Sequence, residues 1–167
     1  MIGAMHIANS ILLKAKYDNV EITPKKLYYM VYLLYSNVLY KYGFKLFNEP
    51  FSITDIGPVV PSIYYKFNSY GNKRIKKYAS NATGQILYAN GDNFNKYLEE
   101  VWYVYKDFSE LELYNIIAKN NSAYDMTRKR NEIVLKDSDI LSDEINNNEI
   151  ILEKAKVLKN KFKERNY

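Results

Sequence analysis

The chain contains no cysteine and a single histidine, His6, among its 167 residues. Without thiols it has no disulfides, cysteine nucleophiles, iron–sulfur clusters or the usual structural zinc sites. One histidine leaves little room for His-dependent catalysis or metal binding. Glycine is scarce and scattered, and neither a G-x-G-x-x-G nor a Walker A pattern occurs, so no phosphate-cradling loop is encoded. Only four arginines are present, which removes most candidates for bidentate reading of bases. Long apolar runs are also missing. The most hydrophobic stretch, 27–40, contains Ser36 and Asn37 and falls short of the roughly 20 residues a membrane-spanning helix needs. Residues 1–10 lack the basic start and apolar block of a secretory signal. These absences lead us to expect a cytoplasmic, non-enzymatic protein with no metal, no cofactor and no membrane contact.

Hydrophobic residues make up 47% of the chain and charged residues 26%, enough to build one core without disulfides. We expect a single domain over 1–167, with no internal repeat or linker. Eighteen residues are tyrosine. With abundant Lys, Asn and Ile, this matches the codon bias of an AT-rich genome, in which tyrosine stands in for Phe or Leu in the core. A dedicated tyrosine surface is the competing explanation. The net charge is +5 and unevenly spread. Residues 1–91 hold 11 Lys and Arg against 4 Asp and Glu, whereas 92–167 hold 13 against 15.

Periodicity reads as a mainly α fold with at most a small β element. Met5, Ala8, Leu12 and Ala15 give a first amphipathic helix over 5–17. Thr23 is placed to cap a second, with Pro24 at its first position and Gly43 at its end. Leu27, Val31, Leu34 and Val38 make one stripe on it, and Tyr28, Tyr32, Tyr35, Leu39 and Tyr42 another. An apolar arc that wide marks a central helix. Residues 44–56 lose the period and suit a loop or short extended segment. Gly57-Pro58-Val59-Val60-Pro61 is rigid punctuation, and Pro61 opens a helix that runs toward Gly71. Residues 72–91 are polar and irregular, with 85–88 a weak strand candidate. Helices follow at 94–105, at 110–119 behind the Ser109/Glu112 capping box, at 123–130 and at 149–165.

No catalytic set emerges. His6 reads as an incidental helix residue, and the adjacent Glu99 and Glu100 diverge on a helix and make a poor acid–base pair. Asp137-Ser138-Asp139 suits either a hard cation or a helix cap at Ser138 or Asp139. Lys73, Arg74, Lys76 and Lys77 cluster beside Tyr70 and Tyr78, an arrangement compatible with unspecific nucleic-acid binding.

The N-terminal half resembles the Panacea domain, also described as SocA-like or GepA-like, on a spaced series of motifs. These are the helix 7–13, then Ile22-Thr23-Pro24-Lys25-Lys26-Leu27-Tyr28-Tyr29, then Leu46-Phe47-Asn48-Glu49-Pro50-Phe51. The strongest piece is Gly57-Pro58-Val59-Val60-Pro61 followed by Ile63-Tyr64-Tyr65-Lys66-Phe67 and Tyr70-Gly71. The match covers 5–71 and more weakly 92–130. Thr54-Asp55 stand where the family has Ala-Trp, Ala118-Lys119 where it has Thr-His, and Ala123-Tyr124 where it has Pro-Trp, so the chain looks like a divergent member.

The resemblance implies an antitoxin of bacterial or prophage origin that neutralises a cognate toxin by direct protein contact. One branch of the family is similar to adaptors that deliver a toxin to an ATP-dependent protease, and self-association is a further possibility. A basic nucleic-acid-binding regulator, or a phage–host interaction protein on the same fold, are the alternatives. Candidate partner-binding residues are Asp55, Tyr64, Tyr65, Tyr70, Lys73, Arg74, Lys76 and Lys77, because aromatic and basic side chains dominate interface hot spots. The helix of Tyr28, Tyr32 and Tyr35 and the Gly57–Pro61 turn are expected to be scaffold.

Overall fold

Helix α2 (Pro24–Tyr42) organises the molecule, and 13 of its 19 residues are buried. The computed structural model describes residues 2–147, so the helix expected at 149–165 lies outside the described residues. The start of α2 follows its sequence signals. The Thr23 side chain accepts from the Lys26 N–H, Pro24 opens the first turn, and Gly43 ends the helix at φ +76°. Helix α1 (Ala4–Tyr17) packs on one side of α2. Helices α4 (Asp92–Tyr105) and α5 (Glu110–Ile117) pack on it as well.

Between α2 and α4 the chain forms a hairpin of β1 (Phe51–Thr54) and β2 (Gly57–Val59), then α3 (Pro61–Phe67) and a 3-10 turn over Asn68–Tyr70. After α5 come α6 (Ala123–Lys129), the short β3 (Val134–Leu135), α7 (Asp137–Leu141) and a 3-10 turn at Glu144–Asn147. The three strands form one antiparallel sheet in the order β2-β1-β3, with Ser52 opposite Val59 and Phe51 opposite Leu135. The fold is therefore mainly α with a small β element, as the sequence predicts.

Most tyrosines belong to this packing. Among the 17 that are described, only Tyr17, Tyr40 and Tyr65 are exposed. Tyr32 meets Phe51 edge-on at 5.2 Å, and Tyr35 meets Phe47 at 4.9 Å, spacings typical of favourable aromatic pairs. Tyr32 is fully buried, and among the described residues its hydroxyl has no hydrogen-bond partner. That tyrosine occupies a position a phenylalanine would fill. The single tryptophan, Trp102 on α4, is also fully buried and donates its indole N–H to Asp18 Oδ2 at 2.7 Å, joining α4 to the end of α1.

Three local expectations need correction. The segment 85–88 is not a strand: only an isolated bridge, Ser80 opposite Ile86, forms there, because Gln85 bonds back to Asn81 in a local turn and the Leu87 carbonyl accepts from Asn9 of α1. The helix expected to reach residue 119 ends at Ile117. Neither Ser138 nor Asp139 caps α7, whose cap position is Lys136. Asp137 instead binds the Tyr35 hydroxyl and Lys45, and Asp139 binds Arg130, so both carboxylates are held by cations of the chain itself.

Candidate functional site

The candidate residues fall in two places. Asp55 sits at the tip of the β1–β2 hairpin, where the side chain is almost wholly exposed yet lies 3.1 Å from Arg128 on α6. Two tyrosines clamp the backbone around it. The Tyr29 hydroxyl donates to the Ile56 carbonyl and the Tyr124 hydroxyl to the Thr54 carbonyl, both at 2.5 Å. Burial raises the Tyr29 hydroxyl above the ordinary tyrosine range. Gly57 completes the turn at φ +123°, and a Cβ there would lie 3.0 Å from the Tyr29 ring. Only glycine suits that backbone and that gap. The motif is packed scaffold.

The remaining candidates form a continuous stretch. Helix α3 buries Ile63 and Phe67 and turns Tyr65 outward, 76% exposed, with its ring edge-on to Tyr64 at 5.6 Å. Tyr64 and Tyr70 are half-buried, and Tyr64 leans on Tyr28 of α2 at 5.8 Å. The Lys73 N–H then bonds the Tyr70 carbonyl, and Lys73, Arg74, Lys76 and Lys77 are all exposed. Asp55 does not join this group, being engaged with α6.

Two buried polar residues of α1 hold the irregular segment in place. The Asn9 side-chain amide donates to the carbonyls of Ala79 and Leu87 and accepts from the Ala79 N–H. The Ser10 hydroxyl donates to the Ala89 carbonyl at 2.8 Å, and Ile75 N–H bonds the Ile22 carbonyl at 2.8 Å. Residues 72–90 are thus a strap laid over α1. Sequence reasoning missed Asn9 and Ser10 as its anchors, although two polar residues inside the apolar arc of an amphipathic helix are a usable signal.

Between the strap and the C-terminal end of α1 lies an open groove of about 580 Å3. Lys16, Arg74, Lys76 and Lys77 line it, with Glu21 as its one carboxylate. Among the described residues none of these four cations makes an ion pair. The cations of the α6–α7 region differ: Arg128 pairs with Asp55, Lys129 with Asp125, and Arg130 with Glu132 and Asp139. The hydrogen bond from Lys129 holds the Asp125 carboxyl below its usual range, and that from Arg130 does the same for Glu132.

Among the described residues no group of three or more His, Cys, Asp or Glu is placed to hold a metal ion. None of the described helices is long and apolar enough to cross a membrane. His6 accepts from the Gly3 N–H at 3.1 Å through Nδ1 and so helps to cap α1. No family model matches the sequence, and neither the curated proteins nor the solved structures include a significant match.

Proposed function

We propose that the chain is an antitoxin-like protein that neutralises a cognate bacterial or prophage toxin by direct protein–protein binding in the cytoplasm. One observation carries the reading. A rigid scaffold presents Tyr65 on α3 and, directly along the chain, a run of exposed cations with no carboxylate partner among the described residues. Exposed aromatics beside cations that the fold leaves unneutralised are the makings of an interface. The motif series Ile22–Tyr29, Leu46–Phe51 and Gly57–Gly71, which resembles the Panacea domain, supports the same reading and supplies the toxin as the partner class.

The test is co-expression with the product of a short toxic gene neighbouring its own. Relief of growth inhibition together with a copurifying complex is the expected result. No rescue and no complex would overturn the reading for that pair.

A second reading, a basic nucleic-acid-binding regulator, is favoured by the basic groove of Lys16, Arg74, Lys76 and Lys77. It requires salt-dependent binding to DNA or RNA, and an absence of binding at low salt would exclude it.

A further inference from the structure

The groove beside the strap has a chemistry that is narrower than its charge. Its cations stand on both walls, Lys16 on α1 and Arg74, Lys76 and Lys77 on the strap. Leu12, Ala15, Val20 and Ile75 add an aliphatic part to the lining, and Glu21 is a single carboxylate against the four cations. Its volume is about 580 Å3, room enough for a short peptide segment. A backbone bond ties the strap to the α1–α2 connection, the Ile75 N–H on the Ile22 carbonyl.

We propose that this groove docks an extended acidic segment of a protein partner. Its apolar side chains lie on the aliphatic part of the lining, and its carboxylates meet Lys16, Arg74, Lys76 and Lys77. The inference rests on the reading of the chain as a protein-binding module and names the partner chemistry at that site. A peptide fits better than a nucleic acid for two reasons. Single strands are held by aromatic platforms, whereas the one ring lining the groove, Tyr78, is already engaged edge-on with Tyr88 at 5.6 Å. The aliphatic part of the lining, in turn, suits the apolar side chains of a peptide better than a sugar–phosphate backbone.

The probe is a fluorescein-labelled octapeptide alternating Leu and Glu, titrated with the full chain and followed by fluorescence anisotropy. The same peptide with Gln for Glu and a short oligothymidine serve as controls. Binding of the acidic peptide that weakens with added salt is expected. Lys76→Glu/Lys77→Glu should weaken it about tenfold or more, and Lys16→Glu on the opposite wall should weaken it in the same direction, with melting temperatures unchanged. No binding, equal binding by the variants, equal binding of the Gln peptide, or tighter binding of oligothymidine at the same salt would each overturn the inference. If the peptide binds as expected but the chain gives no rescue of the toxin, the antitoxin reading falls and the groove stands. If Lys76→Glu/Lys77→Glu still rescues growth, the groove falls and the antitoxin reading stands.

Discussion

Two stretches of this molecule, one irregular and one built of short elements, are fastened alike and charged differently. The strap over 72–90 and the α6–α7 region over 123–143 are both fastened by a buried polar side chain. Asn9 binds the strap backbone, and Asp143 accepts from the N–H groups of Ala123 and Ile145 at 2.8 and 2.9 Å. In the α6–α7 region the exposed cations then find carboxylates of the same chain, as Arg130 does with Glu132 and Asp139. In the strap they find none among the described residues. A charge run is ordinarily a solvated face, and exposed ion pairs contribute little to stability. The contrast matters because it separates charge that a fold neutralises locally from charge it leaves open to a partner.

The anchors offer the largest effects. Asn9→Ala removes three hydrogen bonds to the strap and should cost about 3 kcal/mol, at roughly 1 kcal/mol for each bond. Urea denaturation measures the loss, and amide exchange should accelerate first in 73–90. Uniform loss of protection across the molecule would show that the strap is not a separable unit.

Gly57→Ala comes next, at about 2 kcal/mol, because it forces a side chain into a positive-φ position against the Tyr29 ring. A lowered melting temperature is expected before any change in partner binding. An unchanged melting temperature with lost binding would move the hairpin tip from scaffold to interface.

A smaller effect of opposite sign is expected at Tyr32. Its buried hydroxyl lacks a partner among the described residues, and burial, with the Asp143 and Asp139 carboxylates adding to it, pushes it well above the tyrosine range. Tyr32→Phe should therefore leave stability unchanged or raise it by up to about 1 kcal/mol, read from the urea midpoint. A clear loss would mean that the hydroxyl serves the region's interior.

The comparison itself is sharpened by two surface changes. Arg130→Ala breaks two ion pairs and should lower the melting temperature slightly, whereas Lys76→Ala should leave it unchanged. Equal effects would erase the distinction between the two regions.

Much of this fold is legible in the sequence wherever the signal is local. Thr23-Pro24 and Gly43 bound α2, Ser109 with Glu112 starts α5 through a reciprocal box of 3.1 and 3.3 Å bonds, and two apolar stripes mark α2 as central. These depend on neighbours within one turn. The strap was illegible because its order comes from Asn9 and Ser10, some 70 and 79 residues away in the chain. The site was half legible for the same reason. The Lys73–Lys77 run is visible by inspection, but Lys16 joins it only through the fold. Asp55 is an unusual residue before the Gly-Pro-Val motif, and only the fold shows it paired with Arg128. The tyrosine excess resolves in the same way, since most of the described tyrosines pack inside the molecule and, of the candidate tyrosines, Tyr65 alone is exposed.

One measurement bears most directly on the claim that the strap's open charge is a binding surface for a protein toxin. The chain and the Lys76→Glu/Lys77→Glu variant are each co-expressed with the toxin and purified, and the complex is quantified as salt is raised. We expect the wild-type chain to carry the toxin and release it progressively with salt, and the variant, folded to the same melting temperature, to carry little or none. A wild-type chain without toxin, or a variant that retains it equally, would contradict the claim.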